Sequence, residues 1–389
     1  MALRGRTAIA GLGITKQGKV YEHNHIGFAV EAVRCALDDA GLTRADVDGL
    51  LVNPGLSWGE PHMASFQLQQ VMGLRDLRLS SSMSAGGAGA GSMIQYAAHA
   101  IASGLCHTVA CVFSDAPLKP PRPEDRSRRD GSANSYAFAR SLDAAYGLFG
   151  INAHYAMVAR RHMHVYGTST DHLGAIAVAE RQWANRNPAA QFYDTPMTLA
   201  DYHHSRWVVE PFHLFDCCLV SNGGLAVIVT SAERASDRKR PPIYILGMGQ
   251  GHPGGDPAET LTSGAALAKA TAFPMAGITT ADIDVAELYD CYTFTVLVTL
   301  EDYGFCGKGE GGPFVVDGRI APGGVLPVNT GGGQLSAFYM WGMTPVSEAV
   351  IQLRGDGGER QVPGASVALV SGNGGILSTH ATLVLSNRL

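Results

Sequence analysis

The sequence predicts an α/β protein made of two copies of one folding unit, and two observations support this. The segment Gly41-Leu-Thr-Arg-Ala-Asp-Val-Asp48 recurs as Gly277-Ile-Thr-Thr-Ala-Asp-Ile-Asp284, and Ile9-Ala-Gly-Leu-Gly13 recurs as Ile245-Leu-Gly-Met-Gly249 at the same offset. Two matches at one offset of more than half the chain indicate an internal duplication. Within each copy, short apolar segments alternate with amphipathic ones, which is typical of βαβ units with largely parallel, helix-covered sheets.

Hydrophobic periodicity assigns the individual elements in chain order. In the first copy it predicts strands and helices in the order strand 7–14, helix 26–40, strand 49–53, helix 62–72, helix 88–103 and strand 107–114. In the second copy it predicts strands near 243–249, 284–289, 365–371 and 380–386, with helices near 257–271, 291–303 and 344–353. The intervening stretch, from about 115 to 215, has no counterpart in the second copy and is predicted to be an insertion.

The composition indicates a globular protein with a large core, because 46% of the residues are apolar and only 16% are charged. A formal charge of −5 argues against a nucleic-acid partner. The most apolar stretch, Ser84 to Phe113, is interrupted by polar residues and does not fit a membrane span. The amino terminus lacks the pattern of a signal peptide, so we expect a cytoplasmic protein. Seven cysteines without Cys-x-x-Cys spacing predict reduced thiols and no metal site.

Two segments of the second half carry the main functional signal, Glu287-Leu-Tyr-Asp-Cys-Tyr292 and Asn329-Thr-Gly-Gly-Gly-Gln-Leu-Ser-Ala-Phe-Tyr-Met-Trp-Gly342. They resemble the two histidine-bearing loops of the thiolase superfamily, in its lipid-transfer (sterol-carrier) branch. The first residue of the family's His-Asp-Cys-Phe or Asn-Glu-Ala-Phe falls on Tyr289. The histidine of its Asn-x-x-Gly-Gly-x-x-x-x-Gly-His-Pro-x-Gly pattern falls on Tyr339, with Gly332 and Gly333 at the paired glycines.

The cysteines of the family's catalytic pattern are absent. The nucleophilic cysteine should lie near Gly87, inside Ser84-Ala-Gly-Gly-Ala-Gly-Ala-Gly-Ser92. Ser371-Gly-Asn-Gly-Gly375 stands where the family has its second cysteine loop, Cys-x-Gly-Gly-Gly. Thiolysis needs a thiolate to hold the acyl group between half-reactions, so the sequence predicts another reaction. Gly87, Gly332, Gly333, Asn373 and Gly374 are expected to bind substrate, because glycine-rich loops present backbone N–H groups and Asn373 adds a side-chain donor.

The resemblance covers essentially the whole chain and implies a fold. It implies two βαβαβαββ halves stacked in a five-layer core, with an inserted loop domain over the site. The expected domains are residues 1–118, completed by about 216–235, then the insertion 119–215, and the second half 240–389. Thiolases hold the CoA nucleotide where the insertion begins, so its opening arginines are either phosphate ligands or a solvated loop: Arg122, Arg126, Arg128 and Arg129.

Retro-aldol cleavage of a β-hydroxyacyl-CoA needs no covalent intermediate. It needs a base for the β-hydroxyl, an acid for the enolate carbon and an oxyanion site for the thioester oxygen. Tyr289 and Tyr339 are the candidate acid and base, with the assignment between them open. Asp290 is a candidate partner of that loop or a helix N-cap, and His380 is a competing acid or base or a buried strand residue.

The closest resemblance is to the cysteine-less thiolase-like aldolases of bacterial steroid side-chain breakdown. It implies cleavage of a β-hydroxyacyl-CoA with a tertiary alcohol to a ketone plus propionyl-CoA or acetyl-CoA, with CoA present only as part of the substrate and no other cofactor. It also implies a homodimer that binds a smaller OB-fold, acyl-CoA-binding partner. Two alternatives stay open: an acyl-CoA thiolase that uses a displaced cysteine such as Cys291, and a non-catalytic acyl-CoA or lipid carrier.

Overall fold

The computed structural model describes residues 3–120, 145–148 and 150–389. Its strands are β1 Thr7–Ile14, β2 Gly49–Pro54, β3 Leu79–Ser82, β4 Thr108–Asp115, β5 Trp207–Val209, β6 Phe212–His213, β7 Gly223–Ser231, β8 Ile243–Gly251, β9 Val285–Leu288, β10 Val367–Gly374 and β11 Thr379–Ser386. Its α-helices are His25–Ala40, Ala64–Met72, Gly89–Ala102, Gly150–Tyr166, Thr170–Ala184, Leu199–His204, Ala232–Ser236, Pro257–Thr260, Ala265–Ala276, Thr293–Tyr303, Gly311–Val315 and Met343–Arg354. The arginine cluster from 122 to 129 lies outside the described residues.

The main sheet has nine strands in the order β3-β2-β4-β7-β1-β8-β11-β10-β9. The prediction of largely parallel sheets holds for strand direction, because in each copy every strand of this sheet except one, β7 or β11, runs the same way. Among the described strands of this sheet, β2–β3, β2–β4 and β9–β10 pair in parallel, and the pairings that involve β7 or β11 or that join the two copies are antiparallel. Each copy ends in a strand, β7 or β11, that returns beside its first strand, β1 or β8. Alternation along the chain predicts the elements but does not reveal these returning strands.

The two copies stack as five layers. Gly89–Ala102 and Met343–Arg354 contact strands of both copies and therefore lie between them. His25–Ala40 covers the outer face of the first copy, and Ala265–Ala276 covers that of the second. Within the described strands, the two halves of the sheet are joined where Ala8 and Ile9 pair with Tyr244 and Ile243. The layered α/β arrangement implied by the resemblance is confirmed, while the domain boundaries stay a prediction.

The duplicated sequence folds into duplicated local structure. Gly41 and Gly277 end their helices in the left-handed region, at φ 68° and 69°, where glycine is favoured. Two residues later, the backbone N–H of Thr43 donates to the Asp46 carboxylate at 2.8 Å, and that of Thr279 donates to the Asp282 carboxylate at 2.8 Å. Each segment therefore stops a helix and starts the next short turn by the same hydrogen bonds.

The repeated glycines of β1 and β8 allow close helix packing. A Cβ atom added at Gly11 would lie 2.1 Å from the carbonyl oxygen of Ala36, and one at Gly247 would lie 2.1 Å from that of Ala272. These glycines let each outer helix approach its strand more closely than a side chain permits. Their role is contact between layers.

Two element predictions need correction. The helix predicted over 257–271 is two helices, because Gly264 takes a left-handed conformation at φ 78° and starts a new helix at Ala265. Strand β3 was not predicted, since its four residues, Leu-Ser-Ser-Ser, carry little hydrophobic signal. Within the described part of the chain, no helix combines the length and apolar character needed to cross a bilayer.

Candidate active site

The structure brings the two predicted tyrosines together. Tyr289 follows directly after β9, and its backbone N–H donates to the Ser371 carbonyl oxygen in the neighbouring β10 at 3.0 Å. Tyr339 follows a π-helical turn, Gly333–Ala337, and its backbone N–H donates to the Ser221 hydroxyl at 3.1 Å. The two phenol oxygens share a hydrogen bond of 2.8 Å. Two tyrosines that lie 50 residues apart in sequence, on different loops, therefore form one hydrogen-bonded pair.

The phenol pair is neutral and has hydrogen-bonding capacity to spare. Tyr289 is buried and Tyr339 is partly buried. Burial raises the pKa of both phenols well above the usual value, so neither ionises near neutral pH. Among the described residues, neither hydroxyl has a further hydrogen-bond partner. Because a shared hydrogen bond uses only one of two O–H groups, the pair retains one proton to donate and lone pairs to accept another.

Gly87 occupies the position predicted for the nucleophile, and Tyr289 fills the space that a side chain there would need. A Cβ atom added at Gly87 would lie 2.2 Å from two carbon atoms of the Tyr289 ring and 2.4 Å from the Asn373 carbonyl oxygen. Real Cβ atoms essentially never come so close. A cysteine at position 87 and this placement of Tyr289 therefore exclude each other. The shape of the site therefore requires glycine at position 87 wherever Tyr289 takes this position.

Glycines from several loops converge on the backbone around Gly87. A Cβ added at Gly342 or Gly372 would lie 2.2 Å or 2.6 Å from the Gly87 carbonyl oxygen, and one at Gly374 would lie 2.2 Å from that of Ala85. The loops bearing Tyr289, Tyr339 and Asn373 thus all contact the start of the central helix Gly89–Ala102. Gly87 and Asn373 border the Tyr289 ring, and Gly374 contacts the backbone at Ala85 and Gly86, while their binding of substrate stays a prediction.

Asp290 fastens the Tyr289 loop to the Tyr339 loop. Its carboxylate accepts hydrogen bonds from the backbone N–H groups of Gln334 and Leu335, at 2.6 and 3.1 Å, and from the Gln334 side chain at 2.9 Å. Helix Thr293–Tyr303 begins after Tyr292 without a side-chain cap from Asp290, so the N-cap alternative is wrong. Asp290 acts by holding the second loop in place.

A second buried carboxyl, Glu180, adjoins Asp290 and was missed from the sequence. Burial and the neighbouring Asp290 raise the pKa of Glu180 well above its usual value, and burial raises the pKa of Asp290 as well. Glu180 accepts from the Asn329 side chain at 2.8 Å, and Asn329 accepts from Leu288 N at 2.7 Å. Glu180 lies on the apolar stripe of helix Thr170–Ala184, between Ile176 and Ala184. A carboxyl on such a stripe is the signal that could have revealed it.

Gly332 lies against Ala184, where an added Cβ would be 2.6 Å from the Ala184 Cβ, and Gly333 lies against the two carboxyl groups. The Gly332 N–H already donates to the Asn329 carbonyl at 2.8 Å. Gly333 has φ 60°, and a Cβ there would lie 2.2 Å from an Asp290 oxygen and 2.5 Å from a Glu180 oxygen. Both glycines therefore permit the turn, Gly332 by its approach to helix Thr170–Ala184 and Gly333 by its approach to the carboxyls. Their predicted contact with substrate is not supported by these positions.

His380 belongs to a separate, fully paired cluster. Its Nε2 lies 3.0 Å from both the Tyr303 hydroxyl and the Ser371 hydroxyl, and its Nδ1 lies 3.1 Å from the Ser263 carbonyl oxygen. Burial lowers the pKa of His380 to about 4, so the ring is neutral. Both ring nitrogens are already used in hydrogen bonds. The structure therefore favours the interpretation of His380 as a buried strand residue over its interpretation as a catalytic acid or base.

The cysteines near the site are protonated thiols, with Cys291 buried and Cys218 partly buried. Burial raises the pKa of Cys291 to about 12 and that of Cys218 well above its usual value. A nucleophilic cysteine needs a depressed pKa and access to its substrate. Within the described residues, no group of three or more His, Cys, Asp or Glu side chains could hold a metal ion.

Helix Gly150–Tyr166 of the insertion adds a residue that the sequence did not reveal. Tyr155 is buried, and its hydroxyl donates to the Asn373 side-chain oxygen at 3.4 Å. The same helix is fixed by His162, whose Nε2 lies 3.0 Å from a buried Glu301 oxygen. No motif marks Tyr155, because the insertion has no repeated counterpart. The site is therefore assembled from both copies and the insertion.

Comparison with known proteins agrees with this geometry. A family model described as "Thiolase C-terminal domain-like" matches residues 255–387. The chain is 37% identical over 388 residues to the steroid side-chain-cleaving aldolase of Thermomonospora curvata, which covers 96% of each chain. It is 36% identical to the 17-hydroxy-3-oxo-4-pregnene-20-carboxyl-CoA lyase of Mycobacterium tuberculosis, over 96% of this chain and 98% of the relative.

A solved structure titled Ltp2-ChsH2(DUF35) aldolase superimposes with a TM-score of 0.87, at 36% identity and over 100% of both chains. Human mitochondrial 3-ketoacyl-CoA thiolase in complex with CoA superimposes with a TM-score of 0.72 at 16% identity, over 100% of this chain and 99% of that one, and shows the shared fold. The chain therefore belongs to the thiolase superfamily, in the sterol-carrier thiolase-like branch that contains the steroid side-chain-cleaving aldolases.

Proposed function

We propose that this protein is a carbon–carbon lyase that cleaves a β-hydroxyacyl-CoA by a retro-aldol reaction. The observation that carries the proposal is the 2.8 Å hydrogen bond between Tyr289 and Tyr339, formed in the space that a cysteine at position 87 would need. A pair of phenols beside a glycine-lined backbone provides proton transfer without a nucleophile. Retro-aldol cleavage requires that combination.

The phenol pair acts as a proton relay. One tyrosine oxygen accepts the proton of the substrate β-hydroxyl while its own proton passes to the other tyrosine. The second tyrosine gives its proton to the α-carbon. The Cα–Cβ bond breaks, its electron pair passes through the thioester enolate to the new C–H bond, and the β-carbon leaves as a ketone. Protons and electrons balance, and both phenols end the cycle neutral.

A relay of this kind suits the raised pKa of the two phenols. A standing phenolate base would require the pKa to be lowered toward neutrality, whereas burial raises it. In a relay each tyrosine accepts one proton as it releases another, so no free phenolate forms. The direction of transfer, and hence which tyrosine serves as base, stays open.

The thioester oxygen needs hydrogen-bond donors while the enolate exists. Gly87, Gly374 and Asn373 are our candidates because all three lie beside the Tyr289 ring or the backbone that supports it. The Asn373 side-chain N–H group is buried without a partner among the described residues. An unpaired donor in this position supports binding of a substrate oxygen.

The substrate class follows from the named relatives. One is a steroid side-chain-cleaving aldolase and another acts on a 17-hydroxy-3-oxo-4-pregnene-20-carboxyl-CoA. We therefore infer a steroid or bile-acid side chain with a tertiary alcohol, cleaved to a ring ketone plus propionyl-CoA or acetyl-CoA. No further cofactor is assigned, because the relay and the oxyanion donors complete the reaction.

A second subunit is part of the proposal. The solved structure that superimposes over the whole chain is titled as a complex with ChsH2(DUF35). We infer that this chain also works with a smaller OB-fold, acyl-CoA-binding partner, and as a homodimer in the cytoplasm. Co-expression with a DUF35 protein followed by size-exclusion chromatography with light scattering would test both associations.

Two other functions make different predictions. A thiolase with a displaced cysteine would be inactivated and labelled at Cys291 by a thiol reagent, yet burial raises the pKa of that thiol to about 12. A non-catalytic carrier would bind acyl-CoA without turnover. The spare hydrogen-bonding capacity of the phenol pair favours the lyase.

The test is incubation of the chain, with and without a DUF35 partner, with a panel of β-hydroxyacyl-CoAs of differing ring and side-chain size. Mass spectrometry should detect a ketone and a short acyl-CoA in equal amounts. Thiol-dependent release of acetyl-CoA from a β-ketoacyl-CoA would instead favour the thiolase. Binding without products from any substrate would favour the carrier.

A further inference from the structure

Asn373 has one end of its amide engaged and the other free. The side chain is fully buried near the end of β10, and its Oδ1 accepts a hydrogen bond from Tyr155. Among the described residues, its Nδ2 has no hydrogen-bond partner. Leaving a buried polar group unpaired destabilises the fold, so a native fold that retains one usually reserves it for a ligand, an ion or a water.

Asn373 is also placed at the reacting centre. Its backbone carbonyl oxygen and the Tyr289 ring both border the point where a Gly87 side chain would begin. The adjacent Gly374 contacts the backbone at Ala85 and Gly86. The free amide therefore belongs to the same small region as the phenol pair and the glycine that replaces the nucleophile.

Tyr155 comes from the inserted helix Gly150–Tyr166 and is held rigidly. Its ring packs against that of Tyr292 at 4.6 Å between centroids, and the Tyr292 hydroxyl donates to Asn152 on the same helix. Burial, followed by neighbours that include Cys291, Tyr292 and Tyr339, raises the pKa of Tyr155 well above its usual value. The hydroxyl therefore keeps its proton and serves as a donor to Asn373.

The contact between Tyr155 and Asn373 selects one of two orientations of the amide. With the phenol proton directed at Oδ1, the amide N–H end is the end left without a partner among the described residues. If the phenol hydroxyl is removed, the amide can turn by 180° and present its carbonyl oxygen instead. An oxygen in that place would repel the negative charge that develops on a thioester during cleavage.

We propose that Tyr155 is a positioning residue that orients the Asn373 amide, so that its Nδ2–H donates to the substrate thioester oxygen. The inference rests on the proposed retro-aldol function and extends it by assigning the oxyanion donor and what fixes it. The 3.4 Å contact is long for an O–H···O bond, and we expect it to shorten in the substrate complex, since active-site hydrogen bonds often tighten when substrate binds.

The kinetic test compares Tyr155→Phe, Asn373→Ala and the double variant with the wild-type complex. Loss of one oxyanion donor costs about 100-fold to 1,000-fold in kcat, so Asn373→Ala should fall in that range. Tyr155→Phe should lose about tenfold or more in kcat with KM within about threefold, since the donor survives but is misoriented. In the Asn373→Ala background, Tyr155→Phe should have no further effect, because the tyrosine acts only through the amide.

A purely structural Tyr155 gives a different pattern. The phenylalanine retains the packing against Tyr292, so a structural role predicts unchanged kcat, or losses that multiply in the double variant. Either result overturns the proposal. Tyr292→Phe is the matched control, since it frees Asn152 and leaves the Tyr155 hydroxyl in place. It should leave kcat within about threefold, with a thermal midpoint lowered by no less than in Tyr155→Phe.

A binding measurement tests the same contact without turnover. Calorimetry compares propionyl-CoA, which has a thioester oxygen, with CoA, which has none. In wild type the thioester should improve affinity, and Tyr155→Phe and Asn373→Ala should remove about threefold to tenfold of that gain while CoA binds as before. An unchanged gain overturns the inference even where a cleavable substrate has not been found. Absence of cleavage by wild type would count against the proposed function only.

Discussion

Two clusters of buried tyrosine hydroxyls lie near the ends of β10 and β11, and they differ in how their hydrogen bonds are used. In one, the Tyr303 hydroxyl lies 3.0 Å from His380 Nε2 and 2.5 Å from the Thr382 hydroxyl, and His380 Nδ1 is also paired. In the other, Tyr289 and Tyr339 pair only with each other among the described residues. The first cluster is complete without a ligand, whereas the second is not.

The difference shows why residue type alone did not identify the site. His380 is the kind of side chain that usually transfers protons near neutral pH, yet burial and complete pairing leave it neutral and occupied. The phenols of Tyr289 and Tyr339, which are poor bases in water, keep a proton and lone pairs available beside the glycine-rich backbone around Gly87. Unused hydrogen-bonding capacity at a convergence of loops is the better indicator of function.

Removing one hydroxyl from each cluster should give the largest contrast. Tyr289→Phe and Tyr339→Phe should each reduce turnover at least about 100-fold, the range expected when a proton-transfer group is lost. The matched change Tyr303→Phe should leave turnover within about threefold and lower the free energy of unfolding by about 1–3 kcal/mol, because it removes the hydroxyl partner of the buried Thr382 and one of two hydroxyls beside His380 Nε2. Steady-state kinetics and urea unfolding of the three variants supply the comparison.

The space above Gly87 should tolerate no side chain. Gly87→Ala would drive a methyl group into the Tyr289 ring and shift the phenol from its partner. We expect turnover to fall about tenfold or more, because small misplacements at a reacting centre cost that much. Gly59→Ala is the control, since Gly59 has nothing within 4 Å of its added Cβ and φ below zero. Equal activity in the two alanine variants would mean that the Tyr289 ring moves aside without consequence.

The fully hydrogen-bonded cluster around His380 should make the free energy of unfolding depend on pH. Burial holds the pKa of His380 at about 4, below the 6.5 of the unfolded chain, while nearby Asp302 opposes the shift. The unfolded state therefore binds more protons between pH 4 and 6.5, and stability is lost as pH falls through that window. From pH 7 to pH 5 the histidine should cost about 2 kcal/mol of unfolding free energy. Denaturant titrations at pH 5 and pH 7 should show a smaller change of unfolding free energy with pH in His380→Gln than in wild type. Equal changes in the two proteins would show that His380 does not cause the pH dependence.

The phenol pair should show no titration at all between about pH 7 and 9. Both pKa values lie well above the usual value, and the relay uses neutral hydroxyls throughout. A plot of kcat against pH should be flat in this range. A tenfold rise per unit of pH would instead indicate a phenolate base that must first lose its proton.

Much of the fold could be predicted because its signals are local. Gly41 and Gly277 end helices, and the duplicated glycine pairs allow close packing of strand on helix, so the repeat in sequence became a repeat in structure. The antiparallel return of β7 beside β1 could not be predicted, since strand direction depends on tertiary pairing. Gly264 divided a predicted helix because its backbone is left-handed there.

The site was predicted as far as the family loops extend. The family loops singled out Tyr289 and Tyr339, whose hydroxyls share a hydrogen bond, and also Gly87 and Asn373, which border the Tyr289 ring. Their roles in the reaction stay predictions. Tyr155 could not be predicted, because only folding brings the inserted helix against β10. Asp290 was singled out, but its role depends on backbone N–H groups of another loop, which sequence does not reveal.

The central claim is that the two phenols act as one unit, and a double-mutant cycle on turnover tests it most directly. If protons pass through both hydroxyls, either single change to phenylalanine breaks the relay. The Tyr289→Phe, Tyr339→Phe double variant should then be within about threefold of the slower single variant. Losses that multiply, so that the double variant falls to about the product of the two single effects, would show that the tyrosines act independently and would contradict the relay.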